Sequence, residues 1–240
     1  MTNKMKTFKK QFIDFLLEKG ALKFGEFKLK SGRMSPYFIN TGMFDDGASI
    51  ERLGYFYASL INDVLGGAQF DVIFGPAYKG IPLAVATVIS LSKDYKINKG
   101  YLFDRKEAKT YGEATQEEKI KSALVGYKIE KGSRIVLIDD VFTTGDTKYA
   151  AIELLKGLVS DVKFPALVIA VDRQEVGLDG KSAIKEFEQK TKIPVFSIVS
   201  VSEIIEHLSE KGKLAPAEKQ KILEYLKQYG VEKVKKAMDL

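Results

Sequence analysis

The alternation of apolar and polar positions predicts a chain in which helices and short strands follow one another. Apolar residues recur at helical spacing over residues 4–18 and 50–65, and residues 82–91 form a third, small-residue apolar helix. The same pattern continues in the second half of the chain. It predicts helices at residues 148–158, 183–191 and 201–208, and one or two charged helices within residues 215–240.

Apolar runs between these helices predict strands. Residues 134–138 contain no polar residue after the first, and residues 164–171 are apolar throughout. Further strands are expected at residues 70–74, 100–103 and 194–199, with short strands and turns within residues 21–40. Strands that are apolar on both faces and alternate with helices predict an α/β fold, in which helices flank a central parallel sheet.

The organisation of the chain follows from its length and from the segments that break the pattern. Residues 104–131 are polar and weakly periodic, which predicts a long functional loop. Without a repeat or a low-complexity linker, residues 1–240 are expected to form one domain. Within it, about residues 1–45 would form a small N-terminal subdomain, the hood, and about residues 212–240 a helical C-terminal extension.

Composition excludes several kinds of chemistry. Cysteine is absent, so disulfides, thiolate nucleophiles and cysteine-ligated zinc are excluded. The single histidine, His207, is expected at the surface or behind the site, and catalysis by several histidines is excluded. The net charge is +6, but the lysines are dispersed among glutamates, so nucleic-acid binding is not expected. With no apolar run of about 18–20 residues and no signal peptide, we expect no membrane partner and a cytoplasmic location.

The most informative segment follows the strand at residues 134–138. Asp139 and Asp140 come directly after it, and a Thr/Gly turn centred on Gly145 then leads into a helix. Such a turn aims backbone N–H groups at a phosphate, while carboxylates suit ribose hydroxyls or a partly hydrated magnesium ion. Hydroxyl donors are available from Thr143, Thr144 and Thr147. A plain strand end with a helix cap is the alternative, but two acids in this position favour a phosphate site.

This segment resembles the signature of the type I phosphoribosyltransferases, in which two acids precede Thr-x-Gly-x-Thr. In that family the loop holds the ribose 5-phosphate and the acids contact the ribose hydroxyls. Further segments, in this order, resemble the orotate phosphoribosyltransferases, and the likeness covers about residues 8–205. They are residues 22–38, 74–83, 105–113 and 172–175.

The resemblance implies the type I phosphoribosyltransferase fold with a hood and a pentosyltransferase activity. The reaction would join orotate to phosphoribosyl pyrophosphate, giving orotidine 5'-monophosphate and pyrophosphate in the synthesis of UMP. Mg²⁺ would be the cofactor, held mainly by substrate and water rather than by protein ligands. The family also implies a homodimer whose catalytic loop closes over the neighbouring subunit, and it often has a strained non-proline peptide bond at the position of Ala77–Tyr78.

The resemblance also assigns roles to individual residues. Catalysis is assigned to Arg105, Lys109, Asp139 and Asp140. Phosphoribosyl pyrophosphate would contact Lys30, Tyr78, Lys79, Arg105, Lys106, Lys109, Tyr111, Asp139, Asp140, Thr143, Thr144, Gly145, Asp146 and Thr147. Orotate would contact Lys30, Phe38, Ile39, Thr143 and Arg173. The planar guanidinium of Arg173 suits the orotate carboxylate.

Some positions depart from the family pattern. Tyr111 stands where the family usually has histidine, and residues 112–115 replace a glycine-rich hinge, so we expect altered loop closure. Ile39 replaces a common aromatic residue. Phe142, Asp146 and Thr147 differ from the usual sequence of this branch and bear on base specificity.

Two alternatives stay open. The first is a type I phosphoribosyltransferase for another base, which a base-competition assay would reveal. The second is a non-catalytic, nucleic-acid-binding regulator that binds phosphoribosyl pyrophosphate, which a salt-dependent gel shift would reveal.

Overall fold

The N-terminal part of the chain forms a helix and a two-stranded antiparallel sheet. The computed structural model describes residues 5–29, 31–106 and 115–239. Its first elements are α1 (Thr7–Glu18), β1 (Leu22–Lys28) and β2 (Met34–Ile39). Alternation along β2 buries Tyr37 and leaves Phe38 exposed, so one face of this small sheet covers the core while the other faces outward.

A second, six-stranded sheet forms the centre of the molecule. Its spatial order is β5-β4-β3-β6-β7-β8. All neighbours pair in parallel except β5, which runs antiparallel to β4. The strands are β3 (Val72–Phe74), β4 (Gly100–Asp104), β5 (Leu124–Gly126), β6 (Ile135–Val141), β7 (Leu167–Asp172) and β8 (Val195–Ser200).

Helices cover both faces of this sheet. Val136 and Ile138 of β6 belong to a core shared with α1, α2 and α3, whereas Ile135 and Leu137 face a second core shared with α5 and α6. This division follows from the two-residue period of a strand. The helices are α2 (Gly47–Val64), α3 (Gly80–Tyr95), α4 (Gln116–Ala123), α5 (Asp146–Leu158), α6 (Ala183–Thr191), α7 (Val201–Glu210), α8 (Pro216–Tyr229) and α9 (Glu232–Ala237).

The predicted α/β class is confirmed, but the sheet is mixed and residues 104–131 are not one long loop. This segment contains α4 and β5, which pairs with β4 at the sheet edge. Helix α4 begins with a capping box, in which the side chain of Thr115 accepts from the N–H of Glu118 and Glu118 bonds back. The apolar periodicity of the sequence did not indicate either element. An edge strand and a surface helix bury few side chains, so polar residues interrupt the pattern.

The prediction that His207 lies at the surface is wrong. His207 is 1% exposed on the buried side of α7. Its Nε2 lies 3.4 Å from Oδ2 of Asp14 on α1, so the imidazole belongs to the contact between these two helices. Within the described part of the chain, no helix combines the length and the apolar character needed to cross a bilayer.

Candidate active site

The strand order reverses between β3 and β6, and this places two turns side by side. Phe74 of β3 lies opposite Leu137 of β6, yet the chain continues from β3 toward β4 and from β6 toward β7. The segments that leave their carboxyl ends therefore diverge. Open α/β sheets bind ligands at such a point. The turn after β3 comprises residues 75–80, and the one that follows β6 comprises residues 142–145.

The turn after β6 has the geometry of an anion site. Gly145 has φ +88° and forms the N-cap of α5, and a Cβ there would lie 2.9 Å from Cζ of Phe142. The first N–H groups of a helix have no intrahelical acceptor and carry partial positive charge. The side chains of Thr143 and Thr147 are exposed beside them. The Thr144 hydroxyl, in contrast, donates to Oδ2 of Asp146 at 2.7 Å.

Asp139 and Asp140 point to opposite faces of the sheet, as strand alternation requires. Oδ2 of Asp139 lies 2.5 Å from Nζ of Lys148 in the first turn of α5. Oδ2 of Asp140 accepts from the Thr41 hydroxyl at 2.8 Å and lies 3.4 Å from Nζ of Lys79. The adjacent acids therefore have separate partners. Asp139 pairs with α5 on one face, and Asp140 pairs on the other face with Thr41, in the short 3-10 turn Thr41–Met43, and with the turn after β3.

Because their partners differ, the pKa values of the two acids are shifted in opposite directions. Burial raises the pKa of Asp139, although the charge of Lys148 acts in the opposite sense. Burial also acts to raise the pKa of Asp140, but the hydrogen bond from Thr41 and the charge of Lys79 lower it below its usual value. Asp140 is thus a half-buried carboxylate at neutral pH, beside a cation that is itself exposed.

The turn after β3 is tightly closed, and it carries Lys79 to the acid pair at the end of β6. A Cβ on Gly75 would lie 2.0 Å from the carbonyl oxygen of Gly80, so the turn closes only because both positions lack side chains. The Ala77–Tyr78 peptide bond is cis, which confirms the expectation for this position. The N–H of Ala77 donates to Oδ1 of Asp104 at 2.6 Å, which ties the turn to the end of β4.

Two further cations follow β4. Arg105 and Lys106 are exposed, and the N–H of Arg105 donates to the carbonyl of Ala123 at 2.8 Å. Nζ of Lys106 lies 3.9 Å from Oδ2 of Asp104, the same carboxylate that holds Ala77. Strand β4 therefore ends in positive charge next to the turn of residues 75–80.

Arg173 lies at the carboxyl end of β7, the strand that pairs with β6. Its guanidinium stands 4.5 Å from the centre of the Tyr37 ring, and Nη2 donates to Glu175 Oε1 at 2.6 Å and to the Ser35 hydroxyl at 3.2 Å. Although burial acts to lower the pKa of Arg173, Tyr37 and the Glu175 carboxylate raise it above its usual value. The guanidinium is therefore a permanent, largely buried cation.

The hood contributes an aromatic surface near this end. Phe38 is 37% exposed and stacks on Phe27 with ring centres 5.4 Å apart. Ile39, one residue further on, is half-buried against the main core. The structure thus presents Phe38 outward, while the alternation of β2 turns Ile39 inward.

Comparison with known proteins identifies the family of this chain. A phosphoribosyl transferase domain matches residues 41–203. An orotate phosphoribosyltransferase of Photobacterium profundum is 44% identical over 227 residues, which cover 95% of this chain and 100% of that protein. One of Nitrosococcus oceani is 44% identical over 230 residues, which cover 96% and 99%. The chain belongs to the orotate phosphoribosyltransferases.

A solved structure agrees with this assignment. The crystal structure of an orotate phosphoribosyltransferase from Francisella tularensis matches with a TM-score of 0.79 at 37% identity, covering 92% of this chain and 100% of that one. The resemblance predicted from the sequence is therefore confirmed at the level of the family and of the type I phosphoribosyltransferase fold.

The structure groups the predicted site residues of this orotate phosphoribosyltransferase at neighbouring strand ends. Lys79 and Asp140 come within 3.4 Å of each other, which joins the turn after β3 to the acid pair. The remaining described residues extend from this point in both directions. They are Tyr78, Arg105, Lys106, Asp139, Thr143, Thr144, Gly145, Asp146 and Thr147, with Phe38, Ile39 and Arg173 at the ends of β2 and β7. Lys30, Lys109 and Tyr111 lie outside the described residues.

Several residues that form hydrogen bonds or ion pairs with the predicted site residues were not assigned a role from the sequence. Lys148 could have been inferred, because the first turn of a helix faces back toward the strand before it. Thr41 lies 99 residues from Asp140, and Glu175 was noted only as part of a motif. Asp104, which holds Ala77, is 27 residues away from it. No short-range pattern connects such pairs.

Proposed function

We propose that this chain transfers the phosphoribosyl group from phosphoribosyl pyrophosphate to orotate, giving orotidine 5'-monophosphate and pyrophosphate on the route to UMP. The observation that carries the proposal is the reversal of strand order, which sets the acid pair beside Lys79 and puts a buried arginine at the end of the next strand. Named relatives that match nearly the whole chain support the same reaction.

The turn at residues 143–147 would hold the 5-phosphate. Its helix N-terminus supplies backbone donors, and the φ of Gly145 lets the backbone approach the phosphate closely. Asp140 would accept hydrogen bonds from the ribose hydroxyls, because it is the ionised and half-exposed member of the pair. Thr144 would exchange its bond to Asp146 for one to the phosphate.

Lys79, Arg105 and Lys106 would bind pyrophosphate. All three side chains are exposed at the ends of β3 and β4, and they can approach a leaving group whose negative charge grows in the transition state. We propose that Lys109 and Tyr111, with Lys30 of the hood, complete this set. The same reasoning assigns catalysis to Arg105, Lys109 and the two acids.

Magnesium fits this arrangement as an ion that arrives with its substrate. Among the described residues, no group of three or more histidine, aspartate or glutamate side chains could enclose a metal ion. Pyrophosphate and water would supply most of its ligands, and Asp140 could accept hydrogen bonds from that water. When bound, the ion neutralises charge on the leaving pyrophosphate.

Orotate would lie between the hood and Arg173. The guanidinium of Arg173 matches the orotate carboxylate, Phe38 covers the flat ring, and Thr143 and Ile39 border it. The ring nitrogen would attack the anomeric carbon from the face opposite to pyrophosphate. The new carbon–nitrogen bond forms as the bond from carbon to the pyrophosphate oxygen breaks, and the proton that the ring nitrogen carried passes to the released pyrophosphate. Positioning and electrostatics would supply the catalysis, without a covalent enzyme intermediate.

We further propose a homodimer whose catalytic loop serves the neighbouring subunit. Large apolar side chains are exposed around β4: Ile89 on α3 is 56% exposed, Tyr101 40% and Tyr127 47%. The N–H of Tyr127 bonds to the carbonyl of Tyr101, so these two side chains lie at one sheet edge. Covering this edge would also place Arg105 and Lys106 near a partner. The single-domain arrangement and the cytoplasmic location likewise remain predictions.

A direct assay tests the reaction. Purified, folded protein is mixed with orotate, phosphoribosyl pyrophosphate and magnesium, and the loss of orotate absorbance is followed. The wild type should turn orotate over, whereas Asp140→Asn, which keeps its size and can still accept from Thr41, should lose activity on the order of a hundredfold. Failure of the folded wild type to consume orotate would refute the proposal.

Base competition separates this activity from its relatives. Uracil, adenine, guanine and hypoxanthine are offered in excess beside orotate. None should slow orotate consumption appreciably, because none carries a carboxylate for Arg173. Consumption of one of them in preference to orotate would identify a phosphoribosyltransferase for another base.

A further inference from the structure

Helix α8, in the C-terminal extension, contacts the end of the site that contains Arg173. The hydroxyl of Tyr225 on α8 donates to Oε2 of Glu175 at 3.1 Å, although the two residues are 50 positions apart. The backbone continues this contact, because the N–H of Val176 bonds to the carbonyl of Tyr229 at 2.8 Å. The segment that directly follows Arg173 is thus fastened to the end of α8 by both side chain and backbone.

Glu175 is the centre of this contact. Its Oε1 accepts from Nη2 of Arg173 and from the hydroxyl of Tyr37, each at 2.6 Å, while Oε2 accepts from Tyr225. The side chains of Arg173 and Glu175 are only 17% and 12% exposed. A carboxylate with this little water depends on all three donors to remain in one position.

The two tyrosines also define where the guanidinium lies. The Tyr37 ring stacks beneath it at 4.5 Å, and the Tyr225 ring meets the Tyr37 ring edge-on with centres 6.1 Å apart. Burial and the charge of Glu175 raise the pKa of Tyr225 to about 12, so its hydroxyl stays protonated and can donate. Both bonds that Arg173 makes to Glu175 and Ser35 use Nη2, which leaves the N–H groups of Nη1 and Nε to donate to a ligand's carboxylate.

We propose that Tyr225 and Glu175 are positioning residues through which the C-terminal extension sets selectivity for a base that carries a carboxylate. Helix α8 holds Glu175, Glu175 holds the guanidinium of Arg173, and the guanidinium binds the ligand's carboxylate in a fixed orientation. This inference rests on the proposed function, which pairs Arg173 with orotate.

The inference predicts a loss confined to ligands that have the carboxylate. Without the Tyr225 hydroxyl, Oε2 of Glu175 loses its donor, and the carboxylate can rotate away from Nη2. The guanidinium then has several orientations, and its charge-assisted hydrogen bond to the ligand's carboxylate becomes weaker. A ligand without the carboxylate makes no use of that orientation, so its affinity should stay the same.

Orotidine 5'-monophosphate and uridine 5'-monophosphate provide the test, because they differ only by this carboxylate. Affinities of the full-length protein for both are measured by calorimetry, together with KM for orotate and for phosphoribosyl pyrophosphate. Tyr225→Phe should weaken orotidine monophosphate roughly three- to tenfold and raise the orotate KM equally. Affinity for uridine monophosphate and the KM for phosphoribosyl pyrophosphate should not change.

Tyr229→Phe is the matched control. It removes a hydroxyl from the same helix one turn later, and that hydroxyl makes no hydrogen bond to any residue that the structure describes. This variant should bind both nucleotides as the wild type does. Glu175→Gln, which keeps the size but removes the charge, should weaken orotidine monophosphate more than Tyr225→Phe does.

The possible outcomes are distinct. Equal losses for both nucleotides in Tyr225→Phe would show a purely structural role and overturn the inference. So would unchanged affinity for orotidine monophosphate in this variant when the wild type is active. A wild type that neither binds orotidine monophosphate nor consumes orotate would instead refute the proposed function. If Glu175→Gln does not fold, the comparison of Tyr225→Phe with Tyr229→Phe still decides.

Discussion

At the scale of single residues, Lys148 supplies the positive charge that pairs with the buried carboxylate of Asp139. It is 6% exposed, and its Nζ lies 2.5 Å from Asp139 and donates to the carbonyl of Val141 at 2.9 Å. A buried carboxylate without a cation would be costly, especially next to a second carboxylate. Lys148 therefore allows Asp139 to remain in the interior beside Asp140.

Replacing Lys148 by methionine should destabilise the protein by about 3–5 kcal/mol, because it leaves the Asp139 carboxylate buried without a partner. Urea denaturation measures the change. Adding Asp139→Asn to this variant should restore most of the loss, since the buried charge is then gone. Lys156→Met, at an exposed position of the same helix, should change stability by less than about 0.5 kcal/mol. A loss equal to that of this control would show that the ion pair contributes little.

Gly145→Ala should weaken the proposed phosphate site. A residue with a Cβ at φ +88° is strained by about 1–2 kcal/mol, and the Cβ would displace Phe142. We expect the KM for phosphoribosyl pyrophosphate to rise on the order of tenfold, since that cost corresponds to roughly this factor. Gly157→Ala, in the same helix with nothing within 4 Å of its Cβ, should leave both KM and stability near wild type. An unchanged KM in Gly145→Ala would contradict the role of this turn.

Residue roles could be predicted only where the sequence itself joins the partners. Asp139, Asp140 and Gly145 lie in one short motif, and a resemblance covers it. Thr41 has no such neighbour, because its hydrogen bond to Asp140 exists only after β6 and the short 3-10 turn Thr41–Met43 have packed together. Chain folding, rather than local sequence, creates that contact.

At the scale of elements, the carboxylate of Asp14 on α1 meets three basic side chains at the end of α7 and just after it. Asp14 accepts from Lys211 at 2.8 Å and from Lys213 at 3.1 Å, and His207 lies 3.4 Å away. Burial acts to raise the pKa of Asp14, but these three groups lower it to about 2 from 3.8. The contact explains why His207 is buried, which the sequence pattern of α7 alone did not reveal.

This lowered pKa predicts how stability depends on pH. An acid whose pKa is lower in the folded state stabilises the fold above its unfolded pKa and loses that effect as pH falls through the folded value. The difference in unfolding free energy between wild type and Asp14→Asn should be constant above about pH 5 and should disappear toward pH 2. Urea titrations at several pH values measure it. A difference that grows as the solution becomes more acidic would show that the sign is wrong.

Elements could be predicted from the sequence wherever burial leaves a periodic pattern. The prediction of β6 as an apolar strand and of α6 at residues 183–191 agrees with the structure because their buried faces are regular. Helix α4 and β5 lie at the edge of the sheet, where few side chains are covered, so they were interpreted as a loop. Weak burial thus limits what periodicity can indicate.

At the scale of the whole molecule, the exposed apolar edge around β4 predicts how copies of the chain assemble. Ile89→Lys should convert the proposed dimer to a monomer in sedimentation experiments without unfolding it, because the side chain is already 56% exposed. Leu178→Lys is the control, since Leu178 is 79% exposed in the segment between β7 and α6 and should leave the dimer intact. A monomeric wild type, or a dimeric Ile89→Lys variant, would contradict the proposed interface.

The opposite orientation of Asp139 and Asp140 has a mechanical consequence. Because Lys148 belongs to α5, a displacement of that helix would pull on both the turn at Gly145 and Asp139. Asp140 is attached instead to Thr41 and Lys79, so it would follow the opposite side of the sheet. Two identical side chains, adjacent in the sequence, thus couple β6 to two different parts of the molecule.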